Sequence, residues 1–307
     1  MKPEASVVIP VYNEAEVIRR NVEKLTGFLK DELPSHEVLL CENGSSDGTG
    51  EIARALAEEY DCVHSLFLPE PCLGEALKRG FEAATADKVV YMAIDLPVDL
   101  AFIPESVRLL DAFDGVVGSK RLAGDLDRRP RMRRVASRAF HGLVRGFYAV
   151  DYTDTTCVKA FRRSRILGVM DMVPSTSRVF ETEVLVEAER QGLDIVEIPV
   201  SVVEMRTSRE LLWSKVEGKL EGLLSARLDR VSLLIGAPML LSGAVSIAVL
   251  TLEKLRLANP AGFVNPYSFL LSMLLVVSGF QFITLGLLTK LILQIRREVA
   301  RSSDKSS

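Results

Sequence analysis

The chain of 307 residues has one tryptophan and three histidines, and its four cysteines (Cys41, Cys62, Cys72, Cys157) fall at no CxxC or Cys/His spacing. That scarcity excludes a zinc-type centre and a disulfide framework, and it leaves the cysteines as reduced packing residues. His36, His64 and His141 are scattered and form no catalytic pair. Neither a Walker-type phosphate loop nor GxGxxG occurs, which removes NTP hydrolysis and dinucleotide binding. No repeat and no low-complexity segment is present. The N-terminal MKPEASVVIP lacks the basic-then-apolar form of a leader, so the polar part is expected to stay in the cytoplasm.

Charge is missing altogether from Val231 to Leu252 and from Leu257 to Thr289. A helix of about 22 residues is about 33 Å long and crosses a bilayer core of about 30 Å. The two stretches predict a transmembrane helical hairpin over 231–293, with Asn265 and Pro266 as N-cap and first residue of its second helix. Gly236 and Gly243, like Gly279 and Gly286, recur at seven residues and predict close helix approach, including a homo-oligomer through the hairpin. Lys and Arg number seven on the outer flanks (Arg227, Arg230, Lys290, Arg296, Arg297, Arg301, Lys305) against two in the connecting segment (Lys254, Arg256). That bias places 1–230 and the tail 294–307 on the cytoplasmic face of the cell membrane.

What is present before the hairpin is ordinary mixed sequence. ASVVIPV, EVLLCEN, a short run at 64–68 and VVYMAI at 89–94 read as strands. Helical patterns lie between them at about 14–33, EIARALAEEY and 74–84. Such alternation through about the first 100 residues predicts right-handed βαβ units and a parallel sheet, the Rossmann-like half of an α/β domain over 1–208. Further on, CVKAFRR and IVEIPVSV read as strands, and FETEVLVEAERQG as a helix ending at Gly192. A basic helix is predicted over 132–147. Over 209–230, Leu212, Val216, Leu220, Leu223, Leu224 and Leu228 form a stripe with Lys215, Lys219 and Arg227 off it and Trp213 at its border. This amphipathic helix is suited to a membrane interface, although packing against the domain is the plainer alternative.

Chemistry concentrates at the predicted strand ends, where open α/β sheets bind ligands. IPVYNE (9–14) and ENGSSDGT (42–49) end the first two strands and open on one edge. Glu14, Glu42 and Asn43 offer the groups to read a base or ribose, whereas Ser45, Ser46 and Asp47 fit turn and capping chemistry as well. The strand at 89–94 stops on Asp95, with Asp99 beyond it. Between Lys120 and Arg145 nine basic residues (Lys120, Arg121, Arg128, Arg129, Arg131, Arg133, Arg134, Arg138, Arg145) face only Asp125 and Asp127. No aromatics interleave them, so phosphate or anionic lipid fits this patch better than nucleic acid.

The ordered set IPVYNE, ENGSSDGT, DLPVDL, GSKR, RRVASRAFHGLVR, DTTCVKAF, FETEVLVEAERQG and VEIPV resembles family 2 glycosyltransferases of GT-A fold. The likeness is nearest to dolichyl- and polyprenyl-phosphate glucose and mannose synthases of archaeal type, and it runs over about 6–224. The resemblance implies a membrane-bound inverting hexosyltransferase. It would move a hexose from a nucleotide sugar (UDP-glucose or GDP-mannose) to a polyprenyl phosphate, with Mg2+ or Mn2+ as cofactor. It also implies that Pro10, Tyr12, Glu14, Glu42, Asn43 and Asp95 line the nucleotide, and that Asp95 holds the metal. Lys120 and Arg133 would be catalytic cations, and Arg133 and Ser137 would seat the acceptor phosphate. Glu181 and Glu183 stand where the family carries acids, able to orient sugar hydroxyls or to complement a helix dipole. Four departures stand against the pattern: Ala93 replaces the first acid of Asp-x-Asp, Leu73 replaces a cation, Glu42-Asn43 replaces paired acids, and Lys120 stands where Arg is frequent. They leave two alternatives open, a degenerate non-catalytic nucleotide-binding domain and a transferase that extends a lipid-diphosphate glycan. Asp99, after a proline, is expected to cap the helix near Phe102 rather than replace the lost acid.

Overall fold

The computed structural model describes residues 2–123, 152–176, 179–201, 228–256 and 266–304. The chain divides into two compact units, Met1–Gly222 and Leu223–Ser307.

In the first unit β1 (Ala5–Val11), α1 (Ile18–Glu32), β2 (His36–Asn43), α2 (Thr49–Glu59), β3 (Val63–Leu68), α3 (Leu73–Ala83) and β4 (Lys88–Tyr91) follow one another. Then come α4 (Phe102–Leu109), β5 (Gly115–Ser119), β6 (Lys159–Arg162), α5 (Arg163–Asp171), α6 (Phe180–Arg190) and β7 (Ile195–Pro199). The sheet order is β3-β2-β1-β4-β6-β5-β7. β1 to β4 pair in parallel, as the alternation of strands and helices predicts.

Beyond that parallel half, β6 lies antiparallel between β4 and β5, a direction the sequence pattern does not specify. One expectation is corrected: β4 does not reach Ile94. Its ladders end at Tyr91, paired with Val8 on one side and Lys159 on the other, so no partner strand carries it further. Leu96, with φ +44°, completes a turn in which its amide donates to the Ala93 carbonyl.

The strands read as unbroken apolar runs because both faces of the sheet are covered. Val7, Ile9, Val38, Leu40, Val90 and Val116 enter one core with Ile18, Val22, Leu25 and Leu29 of α1. Val8, Leu39, Cys41, Val89 and Val117 alternate into the other, with Phe81, Phe161 and Leu185. α3 rests so close to the sheet that a Cβ at Gly80 would lie 2.4 Å from Val8 Cγ1, which only glycine permits.

The sheet edge opposite the site carries a buried carboxylate. Glu37 accepts hydrogen bonds from the Ser6 hydroxyl (2.5 Å) and from the Thr85 amide (2.6 Å) and hydroxyl (2.9 Å). Burial opposes its ionisation, but these donors together hold its pKa below the ordinary 4.5. A depressed folded pKa gives stability that is present above the unfolded value and lost as pH falls through the folded one. Glu37→Gln should therefore lower stability near neutrality by about 1–3 kcal/mol. The variant should also flatten the loss of stability below about pH 4. Urea midpoints of the detergent-solubilised chain at pH 4 and pH 7 check both.

In the second unit α7 (Leu228–Arg256) and α8 (Pro266–Asp304) pack along each other. Segments Val231–Leu255 and Pro266–Ile292 are long and apolar enough to cross a membrane, and most of their side chains face outward rather than into the protein. Pro266 is the first helical residue, as expected, while Asn265 lies outside the described residues. The glycines do bring the helices together: a Cβ at Gly236 would lie 2.7 Å from the Gly279 carbonyl oxygen, and one at Gly243 2.8 Å from that of Ser272. Ser272 also donates to Ser246 across the pair at 2.7 Å. The close approach of Gly236, Gly243 and Gly279 is thus made within one chain.

Candidate active site

The register pairs Val11 with Glu42 and Glu42 with Phe67, so IPVYNE and ENGSSDGT leave the sheet at the same edge. A hydrogen-bonded lattice joins the two loops. The Asn13 amide donates to Ser45 Oγ (3.0 Å), Glu14 to Thr49 Oγ1 (2.9 Å) and Ala15 to Asp47 Oδ2 (3.1 Å), and the Ser46 amide returns to Asn13 Oδ1 (2.9 Å). Asn13 adopts a left-handed φ of +52°, which asparagine tolerates, to turn its amide into this lattice. Asp47 also accepts from the Thr49 amide (3.1 Å) and hydroxyl (2.5 Å). Burial works against its charge, but the Thr49 and Ala15 donors hold its pKa below the usual range. The turn residues of ENGSSDGT thus brace the neighbouring loop, a pairing across about 32 positions that local turn chemistry does not reveal.

The residues expected to line a nucleotide differ in what they can offer. Tyr12 is 48% exposed and presents an open ring above the edge. Pro10 is half-buried at the end of β1, and Glu14 is half-buried beside it. Glu42 is buried, and its Oε1 takes the Ser45 amide at 2.5 Å within its own turn. Asn43, also buried, takes the Cys72 amide on Oδ1 at 2.6 Å, fixing the entrance to α3. Leu73, in the place of a cation, is 41% exposed.

Asp95 sits in the turn beyond β4, half-buried, with no hydrogen bond or ion pair among the described residues. The backbone beneath it is pinned by Asn21, whose amide donates to the Ile94 carbonyl at 2.8 Å. Asp99 is exposed, and its Oδ1 accepts the Ala101 amide at 3.0 Å, bracing the turn before α4 rather than capping that helix, whose N-cap is Ala101 with no side-chain cap bond. Among the described residues no group of three or more His, Cys, Asp or Glu could hold a metal ion. A lone, accessible carboxylate still suits Mg2+ or Mn2+, which take one or two carboxylates and complete their shell with phosphate oxygens and water.

Lys120 follows β5 in a corner where three motifs meet. Its Nζ lies 3.9 Å from Asp154 Oδ2, and both side chains are largely buried. Asp154 accepts the Thr156 amide (3.0 Å) and hydroxyl (3.2 Å). Glu197 of β7 accepts the amide and hydroxyl of Thr153 at 2.8 and 3.0 Å, and Thr153 in turn meets the Ser119 hydroxyl. GSK, DTTC and VEIP are therefore one structural corner that presents a single lysine. Arg133 and Ser137, with the rest of the basic segment 128–145 and most of the amphipathic stretch 209–230, lie outside the described residues.

Sequence reasoning missed two site neighbours. Lys159, on β6, is 2% exposed, and Tyr91 pairs with it at the end of β4. Burial, then the charge of Glu181 and its hydrogen bond, push the Tyr91 hydroxyl well above its ordinary value, and Lys159 Nζ lies 3.4 Å from the same carboxylate. A lysine inside an otherwise apolar strand, CVKAF, was the available signal.

A model of Glycosyl transferase family 2 matches residues 6–167. The chain is 38% identical over 203 residues to Glycosyltransferase AglD of Haloferax volcanii, an alignment covering 64% of this chain but 32% of that protein, so the chain spans about a third of that relative's length. It is 31% identical over 223 residues to Undecaprenyl-phosphate mannosyltransferase of Micrococcus luteus, covering 70% of this chain and 88% of that protein. Among solved structures, glucosyl-3-phosphoglycerate synthase from Mycobacterium tuberculosis, in complex with Mn2+, UDP and glucosyl-3-phosphoglycerate, superposes with a TM-score of 0.50 at 23% identity, over 72% of this chain and 78% of that one. That likeness shows a shared fold.

Proposed function

The chain belongs to glycosyl transferase family 2, and from that premise we propose that it is a membrane-bound inverting hexosyltransferase that moves one sugar from UDP-glucose or GDP-mannose to a polyprenyl phosphate. The observation that carries the reading is the alignment with the undecaprenyl-phosphate enzyme over most of that protein's length. The site's chemistry agrees with it. A phosphate monoester has its second pKa near about 6 and is already a nucleophile at neutral pH, so no strong base is needed. The described residues offer the Lys120 cation and a metal-type carboxylate, Asp95, and no Ser-His-Asp arrangement.

In the proposed reaction an acceptor phosphate oxygen forms a bond to the anomeric carbon as the bond to the nucleoside diphosphate oxygen breaks. The leaving oxygen takes the electron pair. The braced loops 9–14 and 42–49 hold the nucleotide, with Tyr12 available to stack on the base. Lys120 neutralises charge on the departing diphosphate. Arg133 and Ser137 seat the acceptor. Asp95 would hold a divalent cation, which when bound supplies further charge neutralisation on the diphosphate. Membranes containing the chain, incubated with radiolabelled UDP-glucose or GDP-mannose, should yield label in a mild-acid-labile lipid. Label in a lipid diphosphate would favour glycan extension, and no label would favour the degenerate domain that Ala93 and Leu73 leave open.

The same reading places the catalytic unit on the cytoplasmic face, where nucleotide sugars are made, with α7 and α8 crossing the bilayer. In a Cys-free chain, Ala261→Cys should react with an impermeant maleimide on intact cells and Ser303→Cys should not. Labelling at both or neither would refute the hairpin, and the reverse pattern would invert it.

A further inference from the structure

A charged side chain in the middle of a sheet is costly unless something compensates it. Lys159 is such a residue. It lies on β6, paired with Tyr91 of β4 and Val117 of β5, and its side chain is 3% exposed. Its ammonium donates to the Cys157 carbonyl at 2.8 Å and to Glu181 Oε1 at 3.4 Å, and it lies 5.5 Å from the centre of the Tyr91 ring. Phe81, Phe161, Phe180, Met170 and Val184 wall the surrounding cavity. In this dry setting the pair is held rigidly, with little screening.

Lys159 is too enclosed to meet a substrate. Glu181 is not, since its side chain keeps 19% of its surface open. It stands in the first turn of α6, and a second tie, from the Thr182 hydroxyl to Thr155 Oγ1 at 3.0 Å, fixes that turn to the loop that carries Asp154. Lys159 pairs with Tyr91, the last residue of β4, from which the chain runs on to Asp95, so the tie to Lys159 brings Glu181 to the Asp95 end of that strand.

A carboxylate there repels the phosphates of both substrates and accepts hydrogen bonds from hydroxyls. The neutral polyol in the reaction is the transferred sugar. Resting on the transferase reading above, we infer that Lys159 is a positioning residue that fixes Glu181 as the group reading a hydroxyl of the donor hexose. A lysine is needed at position 159 because an aliphatic side chain would remove the cation that fixes the carboxylate and leave it only the Tyr91 hydroxyl. Glu181 is then a specificity determinant, and Lys159 acts only through it.

The test compares kcat/KM for the accepted nucleotide sugar with analogues that each lack one ring hydroxyl. The intact enzyme should penalise one deoxy analogue by about tenfold or more, because a buried polar group is left unpaired. Glu181→Gln should shrink that penalty while the penalties at other positions remain. Lys159→Met, with Glu181 intact, should shrink the same penalty and no other, and the double variant should go no further. A Lys159→Met that slows every donor by one common factor would make Lys159 purely structural and overturn the inference, as would an unchanged penalty in Glu181→Gln. Should Lys159→Met not accumulate as folded protein, the charge-neutral double variant carries the test, and a retained penalty there overturns the inference. An intact enzyme that transfers no sugar from any donor would instead defeat the transferase reading itself.

Discussion

Asp95→Asn should lower kcat by about 10²–10³-fold, the scale of losing a preorganised group that stabilises departing charge. The substitution is nearly isosteric, and Asp95 makes no hydrogen bond or ion pair among the described residues, so the fold has little to lose by it. The turn that carries it is held by backbone bonds and by Asn21, none of which uses the carboxylate. Initial rates with saturating donor and acceptor, beside an unfolding curve, separate chemistry from stability. Because Ala93 removes the first acid of the motif, no second carboxylate stands two residues away to take over. Full activity in Asp95→Asn would remove Asp95 from the reaction.

Lys120→Met should cost a similar factor for a different reason. Lys120 and Asp154 are a largely buried pair at 3.9 Å, and removing the cation alone leaves a carboxylate uncompensated. The single variant should therefore lose both rate and stability. Lys120→Met combined with Asp154→Asn should regain stability, since the introduced amide would keep an oxygen for the Thr156 amide and hydroxyl, yet the rate should stay low. Thermal unfolding and kcat measured on the same preparations decide it. Recovery of rate together with stability would show that Lys120 serves the fold and not the leaving diphosphate.

Much of this architecture was legible in the chain. The parallel half follows from unbroken apolar strands separated by amphipathic helices, and α1 shows why, with Ile18, Val22, Leu25 and Leu29 recurring at helical spacing on one buried face. The two long apolar helices α7 and α8 were legible from the uncharged runs that form them. The direction of β6 was not, since the alternation in KAFR marks a strand whichever way it runs, and its insertion between β4 and β5 is set by tertiary pairing. That pairing also ended β4 at Tyr91 and placed Asp95 in a turn.

The candidate site was legible by residue type and less so by role. Asp95 stands at the end of the strand where it was expected, whereas Glu42 and Asn43, expected to read a base, also hold backbone, Glu42 in its own turn and Asn43 at the entrance to α3. Asp47 was read as a turn residue, and its bond to Ala15 makes it a brace between loops. Lys159 escaped notice because a sequence does not show whether a charge inside a strand points outward or into the core.

The central claim is transfer of one hexose to a polyprenyl monophosphate. The most direct measurement uses purified full-length chain in detergent with Mg2+ or Mn2+, a radiolabelled nucleotide sugar, and polyprenyl monophosphate or diphosphate as acceptor. Released nucleoside diphosphate is counted against labelled lipid. One nucleoside diphosphate per labelled lipid, with the monophosphate alone accepting sugar, is the outcome this account predicts. Transfer to the diphosphate only, or nucleotide-sugar binding with no lipid labelled under either acceptor, would contradict it.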